Sequence, residues 1–267
     1  LPIFSTIDLR EILFSIRAFL TYWLDKEDRY SQQSPFIFEF YGELLRFLKE
    51  NKVGDPEIET FRDTLLKDTT PIKVLDLGAG SKKVPHNYRP ISQITRYSTS
   101  GAKFALLYQY LCSLTPAETV VELGTCLGLS TRYLAKKTKG KLYTFEGSEE
   151  IQKVAQRAPL PPRTEFILGP IEEKLLVIVD TIPYIDFALI DANHTYEGTI
   201  GAFRSLVPKL RETSIVAVGD IHWSPGMEKA WSEIKSHPDV KLTIDFFECG
   251  VLFFHYSGEK KHLVLHI

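Results

Sequence analysis

Cysteine is scarce in this chain. The three present, Cys112, Cys126 and Cys249, lie far apart and form no CxxC pair, so neither a disulfide framework nor a zinc knuckle is expected, and a reducing, cytoplasmic setting fits. Basic charge is not in excess either: Lys and Arg number 32 against 34 Asp and Glu, a formal charge of -2. A nucleic-acid partner is therefore not expected, because binding a phosphate backbone draws on a cationic surplus. No apolar run approaches the roughly 18 residues that would span a bilayer, so no membrane partner is expected. The opening Leu1-Pro2-Ile3-Phe4 shows no basic region followed by an apolar stretch, and no initiator Met. A trimmed terminus is expected, with any targeting signal upstream of it. What remains is an ordinary globular composition: 267 residues, 44% hydrophobic and 25% charged, enough for one large domain or a domain with an extension.

Apolar residues recur at three- and four-residue steps from Asp8 to Leu24 (Leu9, Ile12, Leu13, Ile16, Phe19, Leu20, Trp23) and again from Pro35 to Lys49 (Phe36, Phe40, Leu44, Leu45, Leu48). This is the period of amphipathic helices, with Asp8 a cap and Pro35 at a first helical position. A shorter helix is predicted over Pro56 to Leu66. These stripes read as packing surfaces, and residues 1–89 as a helical N-terminal extension or cap.

Beyond about residue 115 short apolar runs alternate with helical stretches: Thr119–Leu123, Lys141–Phe145, Thr164–Leu168, Phe187–Ile190 and Ser214–Val218. Alternation of this kind predicts a parallel sheet with helices on both faces, so residues 90–267 read as an α/β, Rossmann-like domain. Lys241–Phe247 and Val251–Tyr256, separated by Glu248-Cys249-Gly250, predict a terminal antiparallel hairpin. Pro159–Pro162 is a loop, and Lys136–Lys141 reads as a solvated helix end whose charge complements the dipole.

Ligands of open parallel sheets bind beyond the carboxyl ends of the strands. The first strand of the sheet ends in Glu122-Leu123-Gly124-Thr125-Cys126-Leu127-Gly128-Leu129-Ser130-Thr131. Here Gly124 permits a tight turn, Gly128 a close backbone approach, and Ser130 or Thr131 a cap. The loop fits a nucleotide-like cofactor but is neither a GxGxxG nor a P-loop. The second strand ends at Glu146, where a carboxylate can accept both hydroxyls of a ribose.

This E-x-G-x-x-x-G loop with an acidic end to the next strand resembles the class I S-adenosylmethionine-dependent methyltransferases. Asp191-Ala192-Asn193-His194-Thr195-Tyr196-Glu197-Gly198 resembles the fourth-strand D-x-D-H-x-Y-E-G of the small-molecule O-methyltransferase-like group, with Asn193 in place of the second Asp. Gly219-Asp220-Ile221-His222-Trp223 resembles its D-D-I-H-W, with Gly219 in place of the first Asp. The similarity covers about residues 90 to 256. It implies a seven-stranded, mostly parallel sheet and S-adenosylmethionine as cofactor. Glu122, Gly124, Thr125, Gly128 and Ser130 would form the cofactor loop, Glu146 the ribose contact, Gly169 the adenine side, and Asp191 the rim between cofactor and acceptor. A divalent metal on Asp191 and Asp220 is the less favoured reading, since Gly219 removes an oxygen ligand.

The reaction implied is methyl transfer to an oxygen of a small-molecule acceptor. Its base is His222 or, second, His194, because imidazole titrates near neutral pH. Trp223 and Trp231 line an acceptor pocket or pack in the core. Lys73–Ser81 imitates a first cofactor loop but lacks a following apolar helix and reads as a Gly-rich turn; the alternative is a lid folded over the site with Tyr97 and Ser98. The rivals are a non-catalytic cofactor-binding protein, suggested by Cys126, Asn193 and Gly219, and an NAD-dependent oxidoreductase. The N-terminal helices would cap the substrate side or form a homodimer contact.

Overall fold

The computed structural model describes residues 9–75 and 87–267. Three helices lead: α1 (Leu9–Asp25), α2 (Pro35–Glu50) and α3 (Pro56–Lys67). Pro35 and Pro56 begin α2 and α3, where no intrahelical N–H is required, and the Asp55 carboxylate accepts from the Glu57 and Ile58 amides. The cap expected at Asp8 and the turn expected over Asp76–Ser81 lie outside the described residues. A short antiparallel ribbon, β1 (Pro71–Lys73) with β2 (Tyr88–Pro90), is followed by α4 (Ile91–Ser98) and α5 (Ala102–Ser113).

The sheet is then laid down as β3 (Thr119–Leu123), α6 (Leu129–Ala135), β4 (Lys141–Glu146), α7 (Glu149–Ala155), β5 (Thr164–Leu168), α8 (Ile171–Thr181), β6 (Ile185–Ile190), α9 (Tyr196–Leu206), β7 (Leu210–Gly219), α10 (Pro225–Ser236), β8 (Leu242–Asp245), β9 (Cys249–Phe253) and β10 (Lys261–Val264). Its order is β5-β4-β3-β6-β7-β9-β8-β10, parallel except for β9, which runs antiparallel between β7 and β8. The mostly parallel sheet and terminal hairpin expected from the sequence are present. An eighth strand corrects the expected seven: β10 pairs parallel with the outer edge of β8, and the ring of His262 bonds the Thr243 hydroxyl at 2.7 Å. That strand is only four residues long, too short for alternation to reveal, and it satisfies backbone groups that β8 would otherwise present at an open edge.

Strands β3 and β6 are buried along their whole length, as a parallel sheet covered on both faces requires. Val120, Leu142, Phe187 and Leu189 point into one layer with α2 and α5. Val121, Phe145, Ala188 and Ile190 point into the other with α8, α9 and α10. The extension thus shares its core with the sheet, since Ile37, Phe40, Tyr41 and Leu44 of α2 belong to the first layer. Because Leu44 is fully buried, Leu44→Ala is expected to cost about 2–5 kcal/mol, read as a lower urea midpoint. A third cluster joins α3, α4 and the ribbon to the start of α6, through Ile58, Ile72, Ile94, Leu127 and Leu129.

The apolar stripe of helix α1, expected as a packing surface, is largely exposed rather than set against the body of the chain. Instead Ala18 and Tyr22, on the opposite side, dock it to the body, where the Tyr22 hydroxyl donates to the Leu265 carbonyl at 2.8 Å and Phe19 and Tyr22 lie against Phe247. Among the described residues, no helix is long and apolar enough to cross a membrane.

Candidate functional site

Strand order reverses between β3 and β6, because β4 and β5 build outward on one side of β3 and the later strands on the other. At that reversal the loops after the two strands part and leave a crevice. A cavity of about 640 Å³ lies there, within the range of small-molecule sites.

The loop after β3 is shaped by close approach. Gly124 has φ 106°, and a Cβ on it would stand 2.3 Å from the Asp191 carbonyl oxygen. Gly128, at φ 76°, precedes α6. Between them the chain bends back at Cys126, with φ 46°, so that its amide donates to Glu146 Oε2 at 2.9 Å. The other Glu146 oxygen accepts from the Ser148 amide, also at 2.9 Å. Two backbone donors therefore fix the Glu146 carboxylate at the end of β4, facing the cavity.

Thr125, Ser130, Glu146 and Gly169 all line the cavity, whereas Gly128 and Glu122 stand behind the loop. Glu122 is fully buried. Its Oε2 accepts from the hydroxyls of Thr131 and Thr144 at 2.6 Å each, and burial pushes its pKa up to about 7 against those hydrogen bonds. It braces the loop from beneath, and Thr125, bonded to Thr144, links it to the wall.

The opposite end of the cavity is built by the turns after β6 and β7. Asn193, His194 and Asp220 all adopt positive φ, at 67°, 39° and 55°. With Cys126 they make four non-glycine residues in the left-handed region within one cavity, and they store backbone strain where the surrounding structure holds it in place, as functional sites do. The result brings His194 Nε2 to 3.6 Å from Asp220 Oδ2, with the Trp223 ring 6.0 Å from the imidazole. His194 Nδ1 is buried without a hydrogen-bond partner among the described residues. The Asp191 carboxylate accepts from Ser100 at 3.3 Å and fills the space in front of Gly219, where a Cβ would meet Asp191 Oδ1 at 2.0 Å. Gly219 is thus the residue that lets Asp191 adopt this position.

His222, the first-ranked base from sequence, is not on the cavity wall. Its Nε2 bonds Asp245 at 2.7 Å, its Nδ1 lies 3.4 Å from Glu228, and its ring stacks on Phe247. Burial works against its charge, but Asp245 and Glu228 outweigh it and raise the pKa. The ring acts as a tie between α10 and the β8–β9 turn. Of the tryptophans, Trp223 lines the cavity. Trp231 is a core residue, packed so closely on Gly250 that a Cβ there would come within 2.5 Å of the indole. Lys136 binds the α3 cap residue Asp55 at 2.6 Å and so joins α6 to the extension.

The remaining wall was not read from the sequence, apart from Tyr97 and Ser98. Arg89 of β2 and Tyr108 of α5, both nearly buried, line the cavity together with Phe104 and Glu248. Burial raises the Glu248 pKa, and the Asp220 charge adds to the effect. The only prior signal was that α5 is apolar almost all round, the mark of a helix wedged between layers.

A doubly wound sheet with this terminal hairpin, a cofactor-sized crevice at the reversal and a fixed acid at the end of the neighbouring strand define the Rossmann-like class of methyltransferase folds. The chain's own sequence agrees: residues 121–221 match the family model described as a methyltransferase domain. No curated protein matches the chain. Among solved structures, it is similar in fold to the S-adenosylhomocysteine-bound methyltransferase PaMTH1 of Podospora anserina, at 14% identity and TM-score 0.58, over 85% of this chain and 100% of that one. Cofactor-bound Rv0187 from MTB is similar at 17% identity and TM-score 0.53, over 84% and 99%.

Proposed function

We propose that the chain is an S-adenosylmethionine-dependent methyltransferase that acts on an oxygen of a small-molecule acceptor. The observation that carries this reading is a single cavity holding, at one end, the Glu146 carboxylate on the Cys126 and Ser148 amides and, at the other, the His194–Asp220 pair. The residues fit the cofactor. Gly124 lets the loop after β3 lie directly against the Asp191 backbone, and a carboxylate at the end of β4 is of the type that accepts from both hydroxyls of a ribose.

When bound, the cofactor supplies a methyl group on a sulfonium, open to in-line displacement. The chain's part is to align the acceptor and take its proton. His194 is the base, Asp220 stabilises the imidazolium that forms, and Asp191, held by Ser100, fixes the rim between the two ends. A cytoplasmic location accords with this chemistry.

Calorimetric titration with S-adenosylhomocysteine tests the reading. Saturable binding is expected, weakened about 10- to 100-fold in Glu146→Ala, the loss of about 1.5–3 kcal/mol from a charged hydrogen-bond acceptor. No binding at millimolar ligand would sink it, and competition by NADH instead would favour an oxidoreductase.

A divalent cation is a second reading, favoured by one observation: Asp191, His194 and Asp220 can each offer a donor atom, all within 4.8 Å of one another. Mixed carboxylate and imidazole donors suit such an ion. In that case EDTA abolishes turnover and added cation restores it. Turnover unaffected by EDTA leaves His194 and Asp220 as an acid–base pair.

A further inference from the structure

Helix α1 is amphipathic with its apolar side outward. Leu9, Ile12, Leu13, Ile16, Phe19, Leu20, Trp23 and Leu24 are between 39% and 73% exposed. At 3.6 residues per turn they occupy an arc of about 140°, centred about 150° from the Ala18–Tyr22 side that docks the helix. Contiguous apolar patches on monomers are rarely larger than a few hundred Å². Eight residues at this exposure present on the order of 800 Å², which is what each partner contributes to a standard protein interface.

We propose that this stripe is the self-association surface of the protein, covered by the same stripe of a second copy. Two features on α1 select this occupant. The first is charge: α1 carries Arg10 and Arg17 against Glu11 and Asp25, so it has no net charge, and Arg17 is paired with Glu228 at 2.7 Å. A helix that lies on a membrane surface carries a strongly basic polar face, which α1 lacks. The second is composition: an uncharged stripe with Trp and Phe at its lower end is the composition of a homodimer core. A self-complementary stripe about 25 Å long closes on itself in a two-fold pair and leaves no free apolar surface to propagate.

The surface is tied to the cavity through the body of the helix. Phe19 and Tyr22 contact Phe247, and the neighbouring Glu248 lines the cavity. Pairing through α1 therefore clamps the turn that forms part of the acceptor wall. The inference goes beyond the methyltransferase reading and does not depend on it.

Sedimentation velocity of the full chain across micromolar concentrations tests it. The wild type is expected to be a dimer, and Ile16→Glu/Leu20→Glu a monomer with its dissociation constant raised at least 100-fold. Leu176→Glu/Val177→Glu, on the exposed apolar residues of α8, is expected to remain dimeric. Circular dichroism and S-adenosylhomocysteine titration of each variant check that the fold persists. A wild type that is monomeric throughout, a dimer lost only in the α8 variant, or a monomer that co-sediments with neutral phosphatidylcholine vesicles would each overturn the proposal. Loss of ligand binding by a dimeric wild type would count against the catalytic reading alone.

Discussion

Replacing His194 by alanine is expected to lower kcat about 10²- to 10⁴-fold, the usual contribution of a positioned general base, against whichever hydroxylated acceptor an activity screen returns. S-adenosylhomocysteine affinity should change little, because His194 sits at the far end of the cavity from Glu146. The reason to place the base here is geometric. His194 faces the cavity, is 3.6 Å from Asp220 Oδ2, and is held by a backbone turn at φ 39° whose amide bonds the Ala192 carbonyl at 2.8 Å. His222→Ala makes the informative contrast. It removes the tie to Asp245 and Glu228 and should lower the melting temperature while the variant, once folded, retains most of its kcat. The reverse outcome, with His222→Ala dead and His194→Ala active, would return the role to the residue that sequence ranked first.

That ranking shows where the sequence stops being legible. Gly124, Glu146 and Asp191 could be located because each follows or ends a strand of a parallel sheet, and all such positions open on one edge. The periodicity that marks a strand therefore also marks the place of the residue after it. His194 and His222 each stand within four residues of a strand end, so periodicity cannot separate them. The left-handed backbone of Asn193, His194 and Asp220 separates them, and non-glycine residues give little warning of positive φ. Gly219 looked like the loss of an acid from the family pattern. In the structure it is the space that the Asp191 carboxylate occupies, a relation between residues 28 positions apart that no local pattern contains. Arg89 and Glu248 reach the cavity through the way the extension and the hairpin fold over the sheet, and Phe104 and Tyr108 through the packing of α5. The amphipathic period of α1 was plain in the sequence, but periodicity says only that a helix has two faces, not which of them meets the body of its own chain.

The largest effect on the fold and the cofactor end together is expected from Gly124→Ala. At φ 106° any L side chain is strained, and the added Cβ would lie 2.3 Å from the Asp191 carbonyl oxygen. That oxygen belongs to backbone and cannot swing aside: the Asp191 amide is bonded to the Leu123 carbonyl at 2.9 Å, and the Gly124 amide to the Phe145 carbonyl at 3.1 Å. Relief requires β3 and β6 to part at the crevice, which carries the Cys126 amide away from Glu146. Strain at such a position together with steric overlap should cost about 3–5 kcal/mol of stability and weaken S-adenosylhomocysteine binding at least 100-fold. Gly219→Ala places a Cβ equally close to Asp191, but to its side-chain oxygen, which can rotate away from Ser100. Its cost should fall on kcat with the fold and cofactor affinity largely kept. Thermal melts and calorimetry on the two variants separate backbone crowding from side-chain crowding. Wild-type affinity in Gly124→Ala would mean that the loop after β3 is not the cofactor wall.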